Sequence, residues 1–148
     1  MDEIVAEIEL SYNPRARISE LPVVRESMDA YRMFLRTWDR TKLFFVEHFK
    51  VMLLNRAGRV LGICTVSTGC QAYTPIDIKL IFGLALKGNA GQIILAHNHP
   101  SGNITPSKDD IAITERIKEA GKLLDIFLYD HLIITDDGYY SFADERAI

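Results

Sequence analysis

From Val23 to Trp38 apolar residues recur every three or four positions, at Val24, Met28, Tyr31, Leu35 and Trp38, with polar residues between them. That spacing predicts an amphipathic helix whose stripe packs into a core. The pattern then changes. Residues 49–67, FKVMLLNRAGRVLGICTVS, are apolar at nearly every position on either side of a short turn containing Gly58, which predicts a hairpin of two strands covered on both faces. Pro75 sets the start of a second helix running to Leu86, with Ile78, Phe82 and Leu86 on one face and Gly88 as its stop. Residues 92–96 read as a short strand. A third helix opens at Ser107, carries Asp109 and Asp110 in its first turn, shows Ile113, Ile117 and Ala120 on one face, and ends after Lys118, before Gly121. Residues 126–135 read as a strand, Asp136, Asp137 and Gly138 as a turn, and residues 139–142 as a last short strand. Near the N-terminus, Ile4 to Leu10 alternates apolar and acidic residues in the manner of an edge strand, before Asn13, Pro14 and Pro22 break regular structure.

The order helix, hairpin, helix, strand, helix, hairpin predicts an α/β domain of three layers, α-β-α, around a mixed central sheet. With 148 residues, 48% apolar and 25% charged, the chain can bury one core of ordinary size. We read a single domain over 23–148 behind an N-terminal arm over 1–22. The net charge of −3 offers no basic face for a phosphate backbone, so direct nucleic-acid binding is disfavoured. Cys64 and Cys70 are the only cysteines, and they suit reduced thiols better than the framework of a secreted domain. No run near the N-terminus has the layout of a secretory leader and none is long enough to span a membrane. A soluble, cytoplasmic protein is the expectation.

Candidate chemistry is concentrated in residues 93–110, IILAHNHPSGNITPSKDD. Side chains two apart in an extended segment share a face, so His97 and His99 converge at the end of the strand. Two neutral imidazoles turned the same way are half of a metal site. After the turn at Pro100, Ser101 and Gly102, the next helix brings up Ser107 and Asp110. The Asp110 carboxylate can complete a set of two histidines and one aspartate that leaves a coordination position for water. The same Ser107-x-x-Asp110 is also a capping box, which needs no metal, and two histidines with a carboxylate suit an iron(II) facial triad as well as zinc. Among glutamates that could move protons, Glu115 and Glu119 lie on a helix beyond the site and Glu145 near the C-terminus, whereas Glu47 begins an apolar strand where an unpaired charge is costly. Asp130 and Asn98 are candidates to orient the imidazoles. Asp130 and His131 also read as a polar strand entry, and His48 as a surface or packing residue. The sequence contains no His-Glu-x-x-His, no His-x-Glu with Pro-Cys-x-x-Cys, and no phosphate-cradling G-x-x-x-x-G-K-S/T, so thermolysin-like, deaminase and P-loop chemistries lack their residues.

Taken whole, His97-x-His99, a gap of seven residues and Ser107-x-x-Asp110 resembles the JAMM motif of the JAB/MPN metalloprotease family. HNHPSG at 97–102 is similar to the signature of its bacterial RadC branch. The segments FKVMLLN, NAGQIILAHNHPSG, LDIFLYDHLII and GYYSFAD extend the resemblance from about Phe45 to Phe142. The resemblance implies the JAB/MPN (cytidine deaminase-like) architecture. It also implies a zinc ion held by His97, His99 and Asp110 with water as fourth ligand, Glu47 as general acid and base, and Ser107 as hydrogen-bond donor to a developing oxyanion. The implied reaction is hydrolysis of an amide or isopeptide bond in a protein or peptide. The name of the branch carries a second reading, a non-catalytic accessory module tied to DNA repair or mobile DNA, and a homodimer stays open. Where that branch usually has Gly-Thr and then a Pro-Arg pair, this chain has Gly69-Cys70 and Pro75-Ile76-Asp77, so any contact made by that arginine is missing.

Overall fold

Strands that are apolar at every position need cover on both faces, and here two separate hydrophobic clusters provide it. A computed structural model describes residues 15–69 and 76–148. Among these, β1 (His48–Leu54), β2 (Val60–Thr68), β3 (Gln92–Asn98), β4 (Phe127–Ile134) and β5 (Tyr139–Ser141) form one sheet in the order β2-β1-β3-β4-β5. The sheet is mixed, because β3 and β4 run parallel while the other neighbours are antiparallel. One face is covered by α1 (Ser27–Thr37), whose Ala30, Tyr31 and Phe34 pack with Met52, Leu54, Ile94, Ala96 and Leu132. The other is covered by α2 (Ile78–Lys87) and α3 (Lys108–Leu123), where Ile81, Phe82, Ala85 and Ile117 meet Phe49, Val51, Leu53, Ile93 and Leu95. These are the three layers that the element order predicts.

Strict alternation along β3 determines which side chains can reach the site. Ile93 and Leu95 face α2 and α3, and Ile94 and Ala96 face α1, so His97 continues the first set and Asn98 the second. Asn98 is accordingly tied on the α1 side. Its Nδ2 donates to the carbonyls of Leu43 (2.7 Å) and Val46 (3.0 Å), and its Oδ1 accepts from the His48 backbone (2.8 Å). It holds the loop that leads into β1 and does not orient an imidazole. Lys50 ties the same region together. Its Nζ donates to the carbonyl of Thr37 at the end of α1 (2.7 Å) and lies 4.7 Å from the Trp38 ring centre, and burial lowers its pKa.

Several expectations shift in detail. The first helix starts at Ser27 rather than Val23, because residues 22–24 bind the hairpin instead: Val24 N donates to Gly58 O and Val60 N to Pro22 O. Of the two hairpin strands only β1 is covered on both faces; β2 flanks it and is half-buried. Helix α2 is capped by Asp77, which accepts from the backbones of Lys79 and Leu80, and its buried stripe is Ile81, Phe82 and Ala85 while Leu86 is exposed. Its sequence is apolar on so many positions that spacing alone could not choose the face. Pro75 and the expected strand at Ile4 to Leu10 lie outside the described residues, as does Cys70; Cys64 carries a free thiol. Replacing Asp77 with alanine removes a side-chain cap and is expected to cost about 1 kcal/mol, read as a lower urea midpoint with an unchanged slope. No helix among the described residues is long and apolar enough to cross a membrane.

Candidate metal centre

The parallel connection from β3 through α3 to β4 delivers the N-terminus of α3 to the C-terminal end of β3, where open α/β sheets place their ligands. Ser107 caps α3 with the expected reciprocal box. Its Oγ accepts from Asp110 N (3.1 Å), and its N donates to Asp110 Oδ2 (2.7 Å). The cap thus holds the Asp110 carboxylate over the positive end of the helix, which favours its charged form. His97 and His99 meet it there. His97 Nε2 lies 3.1 Å from Asp110 Oδ1, His99 Nε2 lies 3.3 Å from Asp110 Oδ2, and the two Nε2 atoms are 3.0 Å apart. Taking one ligand atom from each residue, the three lie within 4.8 Å of one another, so this triad could hold a metal ion.

The hydrogen bonds on the far side of His99 test that fit. Its Nδ1 lies 2.6 Å from the carbonyl of Asn103, an oxygen that can only accept, so Nδ1 carries a proton and the neutral ring offers its Nε2 lone pair to Asp110 and His97. Lone pairs and a carboxylate converging at about hydrogen-bond distance repel one another unless a cation stands among them. A metal ion satisfies that donor set, and in its place a proton must. Burial works against the Asp110 carboxylate, but its close contacts with the His97 and His99 imidazoles outweigh it and hold the carboxyl far below the usual range. His99 is pushed up, chiefly by its hydrogen bond to Asp110 and against its own burial, with the negative charge of Glu47 among the lesser causes.

Glu47 immediately precedes β1 and is half-buried. Pairing sets Phe49 opposite His97 at the end of the ladder, and Glu47, two residues before Phe49, lies close enough to His99 for its charge to be felt there. Ser107 uses an oxygen lone pair, not its hydroxyl hydrogen, in the cap, so capping and donation to a substrate are compatible roles. Glu115 and Glu119 pair with Lys118 and Lys122 along α3. His48 is a packing residue, half-buried with its ring edge-on to Trp38 at 6.3 Å.

Asp130 does not orient the imidazoles. Its carboxylate accepts from Ser141 Oγ (2.7 Å) and from the backbones of Ala143 (3.0 Å) and His131 (2.7 Å), fastening β4 to the C-terminal turn. The group behind His97 is His131, with its Nε2 2.9 Å from His97 Nδ1. The cause is a bulge. Ile93 pairs with Leu128 and Ile94 with Asp130, so Tyr129 is the extra residue and the alternation changes phase there. Leu128 packs toward α2 and α3, but Leu132 packs toward α1, leaving His131 on the side of the site. Burial holds His131 well below the usual imidazole range, with the neighbouring His97 adding to the effect. Only the sequence adjacency of Asp130 and His131 hinted at this, and it does not say which of the two turns inward.

The chain is similar to curated proteins of several bacteria. It is 41% identical over 143 residues to the UPF0758 protein of Flavobacterium johnsoniae, an alignment covering 96% of this chain and 61% of that protein. It is 43% identical over 147 residues to the UPF0758 protein of Porphyromonas gingivalis, covering 98% and 63%. Identity to the UPF0758 protein of Desulfitobacterium hafniense (strain DSM 10664 / DCB-2) is 35% over 147 residues, 99% of this chain and 63% of the relative. The chain thus spans a little over three fifths of the length of these relatives. A family model described as RadC-like JAB domain matches residues 24–147, which takes in every strand and helix around the histidine and aspartate cluster, and the chain belongs to that family.

Proposed function

We propose that this domain is a zinc-dependent hydrolase of the JAMM type, acting on amide or isopeptide bonds of a protein or peptide. The observation that carries the reading is the spacing of the donors. A tetrahedral zinc with bonds of roughly 2.0–2.1 Å places its ligands about 3.3 Å apart; the His97 and His99 Nε2 atoms are 3.0 Å apart, they face Asp110 Oδ1 (3.1 Å) and Oδ2 (3.3 Å) respectively, and one donor atom from each residue fits within 4.8 Å. Two nitrogens and one oxygen also leave the open position that a catalytic site requires.

A bound zinc supplies Lewis acidity, activating water and polarising a carbonyl at neutral pH. The chain's own groups do the rest. The Glu47 carboxylate takes a proton from the attacking water and returns it to the leaving amine nitrogen. The Ser107 hydroxyl hydrogen, left over from the cap, is donated to the carbonyl oxygen as negative charge builds there. Asp110 stays ionised because the neighbouring imidazoles, the cap and the helix end hold it so, and Phe49, stacked on His97 at 5.9 Å, covers the inner side.

The test is hydrolysis of a panel of fluorogenic amide and isopeptide substrates by the zinc-loaded protein. Cleavage should stop with a chelator, and Glu47→Gln should slow it by roughly 10²–10⁴-fold with zinc still bound. Cleavage that persists in both would mean that another site or a contaminant does the work.

A further inference from the structure

His131 and Thr114 are buried polar residues that the proposed reaction does not use, and their hydrogen bonds form a chain with a definite direction. The Thr114 hydroxyl donates to the backbone carbonyl of Asp110 (2.5 Å). A hydroxyl has one hydrogen, so toward its other partner, His131 Nδ1 at 2.6 Å, Thr114 can only accept, and His131 Nδ1 carries the proton. Neutral His131 then presents Nε2 as an acceptor to His97 Nδ1 at 2.9 Å, which must donate. His97 is left with a lone pair on Nε2, aimed at His99 Nε2 and Asp110 Oδ1. The chain begins on the carbonyl of Asp110 and closes on the carboxylate of the same residue.

Resting on the metal-site reading above, we propose that His131 and Thr114 are positioning residues that fix His97 as its Nδ1–H tautomer, so that Nε2 faces the metal position as a lone pair before any metal arrives. The alternative tautomer shows why this matters. With a proton on Nε2, His97 would donate to Asp110 and close the site on itself, a metal-free arrangement that competes with binding. The relay removes that competitor, because His97 Nδ1 can meet the His131 lone pair only as a donor. Aromatic stacking keeps both rings in place. Phe49 lies parallel to His97, and Phe142 lies over His131 at 4.9 Å with planes 11° apart. His131 is 0% and Thr114 1% exposed, so water cannot substitute for either partner. Outer hydrogen-bond partners of this kind orient ligating histidines and set their tautomer.

Long-range proton–nitrogen NMR on the metal-free protein reads the tautomers directly, and both His97 and His131 should appear as Nδ1–H. Zinc affinity, measured by competition with a chromophoric chelator, should fall roughly 10–100-fold in His131→Phe, which keeps the ring stack but loses both nitrogens. Thr114→Val should weaken zinc about tenfold, within the same range, and Thr114→Ser should restore it, an outcome that a purely structural role would not give. A His97 proton on Nε2 in the metal-free protein, or full affinity in folded His131→Phe and Thr114→Val, overturns the relay. If His131→Phe does not fold, the threonine pair and the tautomer measurement still decide. Failure of the parent protein to bind zinc would instead sink the metal reading, and the tautomer measurement, which needs no metal, would still judge the relay.

Discussion

Zinc added to the metal-free protein is expected to raise its thermal midpoint by roughly 8–16 °C at a thousandfold excess over the dissociation constant. That excess corresponds to about 4 kcal/mol of linkage, and a domain of this size gains roughly 2–4 °C per kcal/mol. The shift arises because the ligands come from two elements that only folding brings together, the end of β3 and the first turn of α3. An unfolded chain keeps the His97-x-His99 pair but loses Asp110 from its side, so it binds far more weakly. In a His97→Ala, His99→Ala variant the rise should vanish, and elemental analysis should fall from about one zinc per chain to none. An equal rise in the variant would place the metal elsewhere.

Asp110 lets the same experiment separate capping from coordination, since the Ser107-x-x-Asp110 box would exist without any metal. Asp110→Asn keeps an oxygen to accept from Ser107 N but loses the charge. Its metal-free stability should drop only by what that charge contributes, while the zinc-induced rise disappears altogether. Asp110→Ala also takes away the acceptor of Ser107 N, leaving only the Ser107 Oγ half of the box, and should lower the metal-free midpoint further, by up to about 1 kcal/mol. If Asp110→Asn retained the full rise, the aspartate would be a cap alone.

The two-residue period along β3 was enough to turn His97 and His99 to one side, and the capping pattern was enough to begin α3 at Ser107. Both are local properties, and local sequence carries them. The bulge at Tyr129 is different. Reading inward from Ile126 and Leu128 with unbroken alternation turns Asp130 toward the site and His131 away. Pairing with β3 inserts an extra residue and reverses that outcome, and nothing in the local pattern announces a bulge. Asn98 misled for a related reason. Its position beside the histidines suggested a shared role, but neighbours on a strand face opposite layers, and Asn98 binds the Leu43 and Val46 carbonyls on the α1 side. The α2 face was lost in a helix apolar on most sides, where only tertiary contacts choose which residues are covered.

Gly121 has the residue type of a helix stop but serves a different purpose. It looked like the stop of the third helix, yet α3 continues to Leu123. A Cβ at Gly121 would lie 2.3 Å from the carbonyl oxygen of Ile126 and 3.7 Å from Phe82, so the position demands glycine for close approach. The chain returns sharply there. Ile126 N donates back to Gly121 O (2.9 Å), and the next residue is already anchored to the sheet by Phe127 N donating to Gly91 O (3.0 Å). Neither strand nor helix can yield cheaply, and Gly121→Ala should cost about 2–3 kcal/mol in urea unfolding. Gly83, in the middle of α2 with nothing within 4 Å of an added Cβ, makes the opposite prediction: Gly83→Ala should stabilise by roughly 0.5–1 kcal/mol through helix propensity. The two substitutions also differ at the metal centre. A methyl at Gly121 pushes α3 away from β4, and α3 carries Asp110 and Thr114 on its first turns while β4 carries His131. The Gly121→Ala protein should therefore bind zinc more weakly even where it remains folded, and Gly83→Ala should bind it as the parent does.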